Sequence, residues 1–128
     1  MNTKLFMSTS GIFLGFFGIT ISFFPREILT ALGATPDEVS LVLANMVGAM
    51  YLGVGMLNWM ARGNLIGGVY SRPVALGNFV LFVMIAITLS KQVLASSNAV
   101  VYAIGGALHA VFAGGFGYVL FGKGGQCG

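Results

Sequence analysis

The stretch LFMSTSGIFLGFFGITISFF, Leu5 to Phe24, carries no charged side chain over its whole length. That length, about 20 residues, is what a helix needs to cross ~30 Å of hydrocarbon. A secretory signal has an apolar region of only about 7–15 residues, followed by a small-residue cleavage site. Here the run ends in Phe23, Phe24, Pro25 and Arg26. It reads as a retained transmembrane helix.

Working outward, three more apolar segments follow, divided by short polar or Pro/Gly-bearing breaks. The spans are expected at about 5–24, 36–60, 73–90 and 98–121. At the head of the second, Thr35 is the candidate N-cap, Pro36 the first helical residue, and Glu38 stands three residues past the cap. Proline also opens the third, at Pro73, and the cluster Ser96, Ser97, Asn98 precedes the fourth. Strands of a membrane barrel would be shorter and strictly alternating, and no such pattern is present. The expected fold class is therefore all-α: an integral membrane four-helix bundle of up-down topology, in one transmembrane domain over residues 1–128.

Composition points the same way. Of 128 residues, 57% are hydrophobic and only 7% charged, against about 25% charged in soluble domains. The mean hydropathy is +0.95. So few charges cannot cover a water-facing surface. The six basic and three acidic residues, net +3, are scattered, which excludes a nucleic-acid footprint.

Those charges instead set orientation. With four crossings, Lys4, Arg62, Arg72 and Lys123 share one side, and Arg26 and Lys91 the other with Glu27, Asp37 and Glu38. The positive-inside rule then puts both termini in the cytoplasm. The connection Pro25 to Ala34 has Ile28, Leu29 and Leu32 at helical spacing opposite Arg26, Glu27 and Thr30. It reads either as a short interfacial helix stopped by Gly33 or as an ordinary capped loop. The connection Ala61 to Arg72, with Gly63, Gly67 and Gly68 around Leu65 and Ile66, is expected to be a flexible loop dipping into the interface. The single cysteine, Cys127, has no intrachain partner and reads as an inert thiol.

Twenty glycines is a high count. Within a span, glycine lets backbones approach closely, which matters in lipid because burial does not drive helices together there. Gly11 and Gly15 form G-x-x-x-G. Ala44 with Gly48 and Ala49 with Gly53 repeat the small-residue spacing, and Gly106, Ala110 and Gly114 form a longer stripe. These residues serve either packing within the bundle or a face kept for another subunit. Ala103, Ala107, Gly115 and Gly117 make the fourth helix small on more than one side, which favours a second neighbour.

Ionisable groups buried in lipid usually mark function. No Asp, Glu, Lys or Arg lies mid-span, which argues against a proton- or sodium-coupled carrier such as the small multidrug-resistance transporters. His109 falls near the midplane of the fourth helix, with Tyr51 at similar depth on the second. His109 is either a haem or quinone ligand or a histidine donating to a backbone carbonyl or to Tyr51. Asn45 and Asn78 either bridge helices or line a polar pocket with them. Asn58, Trp59 and Arg62 are expected as anchors at the end of the second span. Met46, Met50, Met56 and Met60 read as adaptable packing, and no metal or cofactor is expected.

The stretch NMVGAMYLGVGMLNWMAR, residues 45–62, resembles the second helix of DoxX-like four-helix membrane proteins, and Pro25, Leu29, Leu32 and Gly33 before it are similar too. The resemblance covers about the first half of the chain. It implies the fold and a bacterial inner membrane, and brings no catalytic residues. The polar third helix of fluoride channels and the intrahelical Arg, Asn and Glu of glutathione-using membrane enzymes are missing.

The expected function is non-enzymatic: an accessory or structural subunit that sits among membrane lipids and packs its glycine-rich faces against other subunits or its own copies. The alternatives are a binder of a lipid, quinone or other hydrophobic small molecule near His109, Tyr51 and Asn45, and a passive transporter or channel.

Overall fold

A proline at the start of a helix gives up no hydrogen bond, and a glycine just past the end can take the left-handed backbone that closes it. Both devices shape the computed structural model, which describes residues 2–64 and 71–122. Five helices form there: α1 Thr3–Phe23, α2 Pro25–Ala31, α3 Glu38–Ala61, α4 Arg72–Ala95 and α5 Ala99–Phe121. No strand is present among the described residues. All helices but α2 are long and apolar enough to cross a membrane, so the chain is all-α and membrane-embedded.

The short helix α2 is real. Pro25 is its first residue, and Gly33, at φ 84°, ends it. The Ala34 N–H donates to the Leu29 carbonyl at 2.9 Å and the Gly33 N–H to that of Thr30 at 3.0 Å, the paired closure of a Schellman motif. Ile28, Leu29 and Leu32 are half-buried while Arg26, Glu27 and Thr30 are exposed, as their spacing predicts.

Two boundaries differ from expectation. α3 is capped by Asp37, not Thr35: the Ser40 N–H donates to Asp37 Oδ1 at 2.7 Å, and the Asp37 N–H to Ser40 Oγ at 2.9 Å. This is a capping box with serine in the third position, and it leaves Pro36 outside the helix. The bonds to Ser40 hold the Asp37 carboxyl below the usual carboxylate range. α4 continues through Lys91 and Gln92 to Ala95, five residues past the expected end. Lysine and glutamine end the apolar run, but both are good helix formers. The expected loop at Leu65, Ile66, Gly67 and Gly68, and the assignments to Lys123 and Cys127, lie outside the described residues.

The chain divides into two compact units, Met7–Met60 and the start of α1 with the chain from Ala61 onward. In the first, α1 and α3 run antiparallel with glycine backbones in contact. A Cβ on Gly55 would lie 2.9 Å from the Gly15 nitrogen and 3.1 Å from the Gly11 oxygen. One on Gly18 would lie 2.7 Å from the Leu52 nitrogen, and one on Gly48 would strike the Ser22 hydroxyl. At Gly18, Gly48 and Gly55 an added side chain has no room.

In the second unit α4 and α5 pack as an antiparallel hairpin on aromatic rings. Phe82 stacks on Phe112 with centroids 5.0 Å apart and on Phe116 at 5.8 Å. Phe6 tilts against Phe116 at 4.7 Å, across a space that a side chain on Gly115 would fill. Phe79 lies edge-on to Phe121, and its ring covers Gly117.

Candidate functional site

The polar side chains of the spans mostly close on their own helices. Thr20 donates to the Phe16 carbonyl, Thr88 to that of Met84 and Ser90 to that of Ala86, each four residues back at 2.7–2.8 Å. Such a bond lets a hydroxyl sit in lipid without an unmet donor. Among the described residues no buried side-chain nitrogen or oxygen is left without a partner.

His109 follows the same rule. It is buried on α5, with Nδ1 2.7 Å from the Gly105 carbonyl oxygen and its ring 5.6 Å from that of Phe82. A carbonyl only accepts, so Nδ1 is the protonated nitrogen. This is the backbone-carbonyl bond that the sequence allows for. Asn78, buried on α4, donates its amide to the Val74 carbonyl at 2.8 Å, one turn before Phe82. It is a satisfied packing residue of the hairpin.

Of the two asparagines of α3, Asn58 is the one that bridges helices. Asn58 is no end anchor. It is fully buried and donates to the Ser10 hydroxyl at 3.0 Å, while Ser10, equally buried, donates to the Met7 carbonyl at 2.9 Å. Asn45 is exposed, whereas Tyr51 on the same helix is buried. Ser10 went unnoticed in the sequence, because a serine in an apolar run gives no sign of which face it occupies.

An apolar groove of about 370 Å³ opens beside the α1–α3 crossing. Gly11, Gly15 and Gly55 are its floor, and Ile12, Leu52, Met56, Trp59 and Met60 its walls. The glycine contact creates it, since two backbones without side chains leave a furrow flanked by the next residues round each helix. His109, Tyr51 and Asn45, the residues offered by the sequence for the alternative of a hydrophobic pocket, are not among those that line this groove.

The glycine stripes divide by role. Gly11, Gly15 and Gly48 belong to the α1–α3 contact, and Gly106 packs on Leu89 and Ser90 of α4. Gly53 and Gly114 are exposed with nothing within 4 Å of an added Cβ, and so is Gly77. Ala110 is also exposed. The stripe Gly106, Ala110, Gly114 therefore turns from the hairpin interior to the outside.

Among the described residues no three His, Cys, Asp or Glu side chains gather as metal ligands. Comparison with family models, curated proteins and solved structures finds no match.

Proposed function

We propose that this chain is a non-enzymatic accessory or structural subunit of the membrane, held to a larger complex or to its own copies by glycine-bearing helix faces. The observation that carries this reading is the open space around Gly53, Gly77 and Gly114. A mid-helix glycine costs about 1 kcal/mol against alanine, and in lipid its return is close helix approach. Gly11, Gly18, Gly48 and Gly55 have that return within the chain; the three open glycines have it only against a neighbouring helix. The self-closed polar groups of the spans support the non-enzymatic reading. The DoxX-like character of residues 45–62 and the distribution of basic residues support a bacterial inner membrane with cytoplasmic termini. Side-specific labelling of Cys127 tests that orientation, and a periplasmic C-terminus overturns it.

The groove favours a second reading, a site for a lipid tail, quinone or other hydrophobic small molecule walled by Ile12, Met56 and Trp59. Native mass spectrometry of the gently extracted protein, with a visible absorption spectrum, separates the two. A fixed mass of added subunits supports the accessory role. A lone chain carrying a bound hydrophobic molecule overturns it in favour of the groove.

A further inference from the structure

The exposed amide of Asn45 is the least comfortable polar group in the spans. It stands eight residues into α3, which at 1.5 Å per residue puts it about 7 Å from the helix midpoint, well inside ~30 Å of hydrocarbon. Its side chain bonds to no described residue, while Asn58 and Asn78 are buried and bonded. An amide facing lipid leaves two N–H donors and a carbonyl unmet, which is costly where no water reaches.

Asn45 shares its face of α3 with Val42, Ala49, Leu52 and Met56, which recur at steps of three and four residues; Leu52 also borders Gly18 of α1 and Met56 the groove, so this face runs along the edge of the α1–α3 contact. Val42 and Met56 are more than half exposed, Ala49 is exposed and Leu52 half-buried. That is the seam of a left-handed helix pair, and a lone asparagine in such a seam fixes register and copy number.

We propose that α3 pairs with α3 of a second copy, Asn45 hydrogen-bonding to Asn45 across a twofold axis. This deepens the lateral-association reading and rests on it. Copies inserted in one orientation are related only by an axis along the membrane normal. Two α3 helices then meet in parallel and in register, so each residue faces its own equivalent. A carboxamide is complementary to itself, its N–H meeting the other's carbonyl twice, and so needs no different partner. Ala49 lies one turn further on, where its short side chain admits close approach.

Oxidative crosslinking of single cysteines in native membranes, in a Cys127→Ser background, tests the pairing. Val42→Cys, Ala49→Cys and Met56→Cys should give crosslinked dimers. Leu43→Cys, Met50→Cys and Leu57→Cys, one residue on and equally open to reagent, should not. Asn45→Leu should weaken dimerisation on the order of five- to tenfold, the worth of two interhelical hydrogen bonds in lipid, and Asn45→Gln should retain most of it. Equal crosslinking in both sets, or an Asn45→Leu dimer as strong as the parent, overturns the proposal. Crosslinks at the seam only to a chain of different mass overturn self-pairing but leave lateral association standing. No crosslink, with a lone chain in native mass spectrometry, overturns both.

Discussion

Asn58 of α3 donates its side-chain amide to the hydroxyl of Ser10 on α1 at 3.0 Å, and both residues are fully buried. Ser10 in turn donates to the Met7 carbonyl, so the hydroxyl is held with its lone pairs toward Asn58. The relay fixes the rotation of α3 against α1 beside a crossing that glycine alone would leave smooth.

Ser10→Ala removes the acceptor and should destabilise the protein by about 1–2 kcal/mol, an interhelical bond in lipid plus part of a buried donor's desolvation. Thr20→Val removes a bond internal to one helix and should fall within about 0.5 kcal/mol. Reversible unfolding in mixed micelles, followed by far-UV dichroism, compares them.

Gly55→Ala and Gly77→Ala should have opposite effects. At Gly55 the new methyl meets backbone nitrogen at 2.9 Å and carbonyl oxygen at 3.1 Å, neither of which can swing aside. A loss of about 1–3 kcal/mol is expected from overpacking. At Gly77 it meets open space, and the gain in helix propensity is about 1 kcal/mol at most. The same unfolding assay reads both.

Phe82 stacks on two phenylalanines and touches the His109 ring, so Phe82→Ala should loosen the α4–α5 hairpin. Lipid solvates a freed phenyl ring as well as the core does, which leaves mainly the lost contacts and the cavity. A loss of roughly 2 kcal/mol is expected, below the ~3–5 of water-soluble cores. Faster hydrogen exchange along α4 would report it.

Asp37 gives the head of α3 a pH dependence of definite sign. Its carboxyl titrates below the ordinary range because the ionised form accepts from Ser40. The cap is therefore in full force above the unfolded carboxylate value, and is lost as pH falls through the lower folded value. Relative to the intrinsic rate at each pH, amide exchange at Val39 to Leu41 should rise in acid in the parent protein. Asp37→Asn, which still accepts the bond, should abolish that rise.

The four helices of membrane-spanning length and the all-α class were legible in residues such as Leu5 to Phe24, because hydrocarbon thickness imposes a length and forbids charge. The short helix after Pro25 was legible as one of two readings, since Gly33 supplies the left-handed residue its closure needs. Which face turns inward was not legible. In water Asn58 would be read as outside and Leu52 as inside, but lipid removes that contrast, so Asn45 and Asn58 look alike in the sequence. The α3 cap was missed for a different reason: Thr35 and Asp37 are both good caps two residues apart, and Ser40 decides between them. The groove followed from close glycine approach, which depends on the crossing partner and is not written in either helix alone.

The hydroxyls and amides that bond to carbonyls four residues behind them, Thr20, Thr88, Ser90 and Asn78, with His109 doing likewise, bear on biogenesis. A span that satisfies these groups by itself can leave the translocation machinery singly and wait in the bilayer without a chaperone for them. Asn58 also reaches across to Ser10, a residue already synthesised and inserted when α3 arrives. The chain's order of synthesis thus supplies the acceptor of this interhelical bond before its donor.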